Sequence, residues 1–363
     1  MKSMQKINKF EAIALIVIIT INQIILNLPS TIILNTGSSA WINIIIISIL
    51  AILFCILICK LFKRFPSNDI IDISEYLGGK FFKIFVGILY ISFFVLISAL
   101  FLRYFSNNIK QIYFEKSPIV FLLLLFLIPI SFAAKLGIKS IARANLILTP
   151  IVLISMLILF ISTAKLFIPQ NIFPILGFGA DETFLIGLTN IYSFVSFAYI
   201  YFLIPLLKNP EDFKKISIWS IVISAINLFL GVICLIMLFP FIPFSDEMLS
   251  IYLVARLIEF GKFLQRVDAV FILIWILSLF SFLSINISFI NKILKKLLSL
   301  KNYREMSFSV CAIIFSISLL FTNISNIKFT QTVLLKYFTI GLVFIFSFII
   351  LVIANLKFKK EKT

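Results

Sequence analysis

The chain has 363 residues, 62% of them hydrophobic and only 13% charged, with a formal net charge of +17 and no histidine. Soluble domains are roughly 45–50% apolar and about 25% charged, so this composition excludes a soluble globular protein and indicates a polytopic membrane protein. The missing histidine removes Ser-His and Cys-His nucleophile pairs, histidine metal sites and histidine proton relays.

A spanning helix needs about 20 largely apolar residues, and ten such runs follow one another along the chain. MKSMQKINKF before the first run resembles a signal peptide, but no small-residue cleavage pattern follows, so Ala12 to Leu34 is expected to remain as span one. Trp41 to Phe62 is span two, and Ile84 to Phe105 is span three. Ile119 to Ala134 and Ile141 to Ala164 are spans four and five, and Phe184 to Leu207 is span six. Ile216 to Phe239, Val267 to Ile290, Ser307 to Thr322 and Leu335 to Leu356 complete the set. Two connecting stretches have apolar residues at helical spacing. Glu247 to Phe263 is expected to form a short outer helix, with Asp69 to Phe82 as a cytoplasmic counterpart; mere connecting segments are the alternative.

The charge follows topology. With a cytoplasmic N-terminus, 23 of the 32 lysine and arginine residues fall on that side, leaving nine on the other. The positive-inside rule therefore places both termini in the cytoplasm. The basic residues are read as contacts with the lipid bilayer, with no nucleic acid as partner.

Neither a P-loop nor a G-x-G-x-x-G or C-x-x-C motif is present. Cys55, Cys59, Cys234 and Cys311 lie inside apolar runs and read as packing residues, with a metal pair or disulfide as the alternative. No enzyme, metal or cofactor is expected.

Spans one and six each carry a proline towards their chain-wise end, Pro29 and Pro205, which would lie at opposite membrane faces. That arrangement fits an inverted repeat, with repeat one at about 10–165 and repeat two at about 180–357. Thr20, Gln23, Asn27 and Thr31 share a face of span one, and Thr189, Ser193 and Ser196 share one in span six, with Tyr192 beside them. Polar stripes in lipid turn to the bundle interior, for hydrogen bonding between helices or to line a midplane cavity with locally unwound helices.

The chain resembles the B subunits of Ger-type spore germinant receptors, endospore germination permeases within the amino acid/polyamine/organocation superfamily. The residues that carry the resemblance are KINKFEAIALI at the start of span one, Leu28 and Pro29, GIKSIAR at Gly137 to Arg143 and NIFPILGFG at Asn171 to Gly179. Span six closing on Pro205 and, above all, FLQRVDAVFILIW at Phe263 to Trp275 complete it. The resemblance implies an all-α fold of about ten transmembrane helices in a leucine-transporter-like five-plus-five inverted repeat, with a ligand held among spans one, three, six and eight. It also implies location in the spore inner membrane, partnership with germinant receptor A and C subunits, and sensing of a small nutrient, an amino acid first. Where relatives carry glycines in the middle of span one, this chain has Asn22 and Gln23. Where they carry a Gly-x-Glu-like element before the sixth-span proline, it has Ser196, Phe197 and Ala198.

On that reading the ligand-contact candidates are Gln23, Asn27, Ser98, Tyr192, Ser193, Ser196, Trp275 and Ser278; each also suits interhelical hydrogen bonding. Arg266 and Asp268 are two residues apart, roughly 200 degrees around a helix, so each needs its own partner. With Arg103 and Lys336 they form a set of structural or gating charges expected at the outer face; Asp268 is expected to pair with a cation on another span. An ion-coupled amino-acid permease and a non-binding scaffold for receptor subunits are the alternatives.

Overall fold

The computed structural model describes residues 6–239, 250–258, 267–299 and 303–361. It is all-helical apart from one parallel bridge, between Ile7 and Leu207, among the described residues. α1 (Lys9–Ile25) begins where Glu11 Oε2 accepts a 2.7 Å hydrogen bond from Asn8 N. It stops after seventeen residues, and α2 (Leu28–Thr36) continues the span. Between them Asn27 takes a left-handed conformation with φ 81°. Pro29 supplies the cause: in a continuous helix its ring would collide with the Ile25 carbonyl, and asparagine accepts a left-handed backbone at small cost. Span one is thus two half-helices, and Pro29 opens the second instead of closing the span.

α3 (Ala40–Phe62) is regular, whereas α4 (Ile70–Tyr113) is forty-four residues long. Asp69 caps α4 by accepting from Ile71 N at 3.1 Å and Asp72 N at 3.2 Å. Gly78 and Gly79, the latter at φ 68°, kink the helix, so the expected counterpart helix in Asp69 to Phe82 is the leading arm of span three. α5 (Ile119–Leu136) and α6 (Ile138–Thr163) close the first half.

The second half opens with α7 (Ala180–Phe184), followed by a 3-10 stretch over Ile186–Phe194, a short α8 (Phe197–Ile200) and a 3-10 turn at Ile204–Leu206. Span six is therefore irregular along most of its length. α9 (Phe213–Leu238), α10 (Ser250–Arg256), α11 (Val267–Leu298) and α12 (Ser307–Leu320) come next. α10 gives the described part of the expected outer helix its form; residues 247–249 and 259–263 lie outside the described residues.

Span ten departs most from expectation. It runs without interruption through α13 (Ile324–Phe329), a π-helical stretch at Thr330–Leu335, α14 (Lys336–Thr339), a second π-helical stretch at Ile340–Phe346 and α15 (Ser347–Lys360). The polar residues Asn326, Lys328 and Thr330 hid its first turns from a hydropathy scan. Lys336 consequently lies about 18 Å along the helix at 1.5 Å per residue, instead of at its outer end.

Seven helical stretches among the described residues are long and apolar enough to cross a membrane. The other spans fall short because span one is broken, span six is irregular and α12 has only fourteen residues. α1 packs against α6, α9 and α11, and α4 against α11, α12 and α15. Ile16, Ile18 and Ile19 in span one and Phe197 to Leu203 in span six are fully buried, whereas Leu53, Ile128, Ile147 and Ile161 on α3, α5 and α6 are exposed. The two irregular spans are thus sheathed by helices whose outer apolar faces suit lipid, the arrangement that lets unpaired backbone exist at membrane depth.

Candidate functional site

The site is built around the break in span one. Leu26 N still donates to Asn22 O at 3.0 Å, and the next rung is Thr31 N to Asn27 O at 3.1 Å. Asn27 Oδ1 accepts hydrogen bonds from Ser30 Oγ at 2.5 Å and from Ser250 Oγ, so the break is tied to α10. One turn back, Asn22 Nδ2 donates to Ile18 O at 2.8 Å, Ser278 Oγ at 2.8 Å and Ser278 O at 3.1 Å, locking α1 to α11. Ser98 Oγ donates to Phe94 O at 2.6 Å within its own helix. Three candidates, Asn27, Ser98 and Ser278, therefore have protein partners.

The other five differ. Gln23 Nε2, Tyr192 OH, Ser193 Oγ, Ser196 Oγ and Trp275 Nε1 are buried and have no hydrogen-bond partner among the described residues; Thr20 Oγ1 joins them. Each such group costs about 1–3 kcal/mol where nothing polar meets it. They lie on neighbouring elements, since α1 packs on α11 and on the Ile186–Phe194 stretch. Phe94 of α4 meets Tyr199 of α8 with ring centroids 5.0 Å apart, and Tyr199 OH donates to Asn286 of α11. Span six thus meets spans three and eight at Tyr199.

A polar clamp fixes the start of the 3-10 stretch. Asn43 Nδ2 donates to Thr183 O and Asn190 Nδ2 to Asn43 Oδ1, both at 2.9 Å, while Ser39 Oγ and Thr183 Oγ1 are 2.7 Å apart. Gly187 permits this approach, since a Cβ there would run into the Asn43 amide and come within 2.9 Å of Glu182 O. Gly187→Ala is expected to lower the melting temperature of the purified chain by the equivalent of about 1–3 kcal/mol, the usual cost of overpacking.

Where the chain termini lie, an ion cluster closes the bundle. Asp69, fully buried, sits 2.6 Å from Lys296 Nζ and 3.8 Å from Lys292 Nζ, and Asp72 is 2.5 Å from Lys296 Nζ. Lys292 Nζ also donates to Phe202 O at 3.3 Å, and Ile70 N to Tyr201 O at 3.2 Å, so α4, α11 and the end of span six meet here. Burial works to push the Asp69 carboxyl up, but the Lys296 and Lys292 ammonium groups outweigh it and hold the carboxyl below the usual carboxylate range.

Of the four charges singled out in the sequence, Arg266 lies outside the described residues. Asp268 Oδ2 accepts from Tyr252 OH of α10 at 3.1 Å. Burial, with the Asp268 carboxylate beside it, pushes the Tyr252 phenol up to about 12. Arg103 is buried and donates through Nη2 to Thr322 O at 3.5 Å; its Nε has no partner among the described residues. Lys336 is buried, with its ammonium 5.8 Å from the Tyr337 ring centroid. The four cysteines are buried and free. Sequence reasoning missed Ser250, Tyr252 and the Asn22 lock. Asn22 carried a signal, an amide inside an apolar span, whereas Ser250 and Tyr252 sat in a stretch read only for its apolar residues.

Two broken spans packed among regular ones define an all-helical membrane fold of the leucine-transporter-like type. The structure of a substrate-bound, outward-open Na+-coupled sialic acid symporter matches with a TM-score of 0.65 at 12% identity, over 95% of this chain and 80% of that one. Two variants of the Eremococcus coleocola manganese transporter match with TM-scores of 0.52 and 0.51 at 12% and 13% identity, over 95% of this chain and 76% of theirs. None of the curated proteins matches in sequence. The family model for spore germination proteins, the spore permeases, matches residues 6–327, and the chain belongs to that family.

Proposed function

We propose that the chain is the membrane subunit of a nutrient germinant receptor that binds a small germinant, an amino acid first, and triggers germination. One observation carries the binding part. Gln23 on α1, Tyr192, Ser193 and Ser196 in span six and Trp275 on α11 are buried with polar atoms that no described residue satisfies, and α1 packs against both α11 and the Ile186–Phe194 stretch. A small zwitterion offers both donors and acceptors to such a set, and the carbonyl end of α1 favours its ammonium group. Family membership supports the germination role; on this reading the chain works with A and C subunits in the spore inner membrane. The excess of basic residues on one side supports cytoplasmic termini.

Ion-coupled amino-acid transport is the second reading, favoured by the transporter neighbours. Against sodium coupling stands Asn22, whose amide already donates into three oxygens at the α1–α11 crossing, oxygens a monovalent cation there would have to win back. Thermal melts of the purified chain in nanodiscs, with amino acids, purines and sugars, test the binding reading. A ligand at a hundred times its Kd adds about 2.7 kcal/mol to stability. A melting temperature unmoved by the whole panel would leave only the non-binding scaffold. Gradient-driven uptake of a labelled amino acid into liposomes by the chain alone would make it a permease.

A further inference from the structure

Lys336 is a buried cation that the site described so far does not use. It lies beyond the segment matched by the family model, which ends at residue 327, so family membership assigns it nothing. It sits in the four-residue α14, between two π-helical stretches. Single π-turns inside α-helices concentrate at functional positions, because they rotate one side chain out of the regular register.

Its surroundings place α14 beside span six. Phe338 packs on Phe93, in the middle of span three, with ring centroids 5.5 Å apart, and Tyr337 is 59% exposed. Lys336 and Thr339, three residues apart and therefore on one face, are both buried. α14 packs against the Ile186–Phe194 stretch of span six, and that stretch packs against α1. Two turns further along, Tyr201 OH donates to Val343 O at 2.8 Å and Phe344 meets Phe197 at 5.4 Å, so the same face of span ten follows span six.

No carboxylate among the described residues answers this ammonium group. Among the described residues Lys336 has no acidic partner, and neither Ile186–Phe194, α3 nor α4 beyond Glu75 contains an Asp or Glu. The 3-10 stretch and the residues that follow it bring Tyr192 OH, Ser193 Oγ and Ser196 Oγ, three buried hydroxyls without partners among the described residues. An ammonium group and hydroxyl donors on packed segments suit a polar ligand, the ammonium taking a carboxylate and the hydroxyls its other polar groups. The alternative acceptor for an anion, the start of α2, is poor: Pro29 has no N–H, and Asn27 Oδ1 there is turned to Ser30 and Ser250.

We propose that the Lys336 ammonium group anchors the carboxylate of the bound ligand, so that the site selects an amino acid over its amide. This rests on the ligand-binding reading above. Lys336 then sets specificity from span ten, while the carbonyl end of α1 and the span-six hydroxyls receive the remainder of the molecule.

The test uses the full chain in nanodiscs, the twenty amino acids as probes, and the carboxamide of each one that raises the melting temperature. On the unaltered chain, half-maximal stabilisation should need about tenfold more amide than acid, or greater, since losing a charge-assisted contact changes affinity on that scale. Lys336→Gln should abolish the preference by weakening the acid about tenfold, and Lys336→Arg should retain it. Without ligand, Lys336→Gln should melt close to the original, because the buried charge it removes has no acidic partner among the described residues and its contact with the Tyr337 ring is long, at 5.8 Å. Equal stabilisation by acid and amide in the unaltered chain would overturn the proposal, as would a preference surviving in Lys336→Gln. If no amino acid stabilises the unaltered chain, the ligand-binding reading itself fails, an outcome distinct from either of those.

Discussion

Asp69→Asn is expected to destabilise the chain by about 3–5 kcal/mol, the cost of leaving a buried charge without its counter-ion. The side chain is fully buried and holds three things at once: the start of α4 through Ile71 N and Asp72 N, Lys296 at 2.6 Å, and Lys292 at 3.8 Å. Asparagine keeps an acceptor for the cap but loses the charge, leaving Asp72 as the described counter-ion. The effect should depend on pH in a definite sense. Because the folded carboxyl is held below its unfolded value of about 3.9, its contribution is complete above that value and disappears as pH falls through the folded one. Melting curves from pH 7 to pH 3 should therefore show the deficit of Asp69→Asn constant down to about pH 5 and shrinking in stronger acid. A deficit of under about 1 kcal/mol at pH 7 would mean that the cluster is solvated like an ordinary surface pair.

Asn27→Val should cost comparably, about 2–4 kcal/mol, by two routes that a companion variant separates. A β-branched residue is strained at φ 81°, and the hydrogen bonds from Ser30 and Ser250 disappear. Asn27→Gly removes the hydrogen bonds but relieves the strain, and should lose only about half as much. The order of melting temperatures is thus asparagine, glycine, valine. Equal losses in the two variants would assign the whole effect to the tie with α10.

Hydropathy and loop charge made the helical membrane architecture legible, because spacing of apolar runs against bilayer thickness needs no tertiary information. The break in span one was half-visible: Pro29 announced it, but only the left-handed Asn27 shows where the chain turns. Span ten was misread for a physical reason. Asn326, Lys328 and Thr330 lower the hydropathy of its first turns, so a scan for an unbroken apolar run starts the span late. Of the candidate ligand residues, composition could mark Ser193 and Ser196 as polar in an apolar span. It could not separate them from Ser98, whose hydroxyl is spent on its own helix. That distinction depends on what faces each side chain, as does the assignment of Asp268 to the phenol of Tyr252.

The central claim is that a germinant is recognised where spans one and six break. Its most direct test is the nutrient dose–response of spores carrying Tyr192→Phe or Ser196→Ala, with receptor abundance measured alongside. Each variant removes one buried hydroxyl that has no partner among the described residues, so it should not impair folding. The account predicts normal abundance with the half-maximal nutrient concentration raised about tenfold by at least one of the two, a loss of about 1.4 kcal/mol. Normal abundance with an unchanged dose–response in both would contradict it.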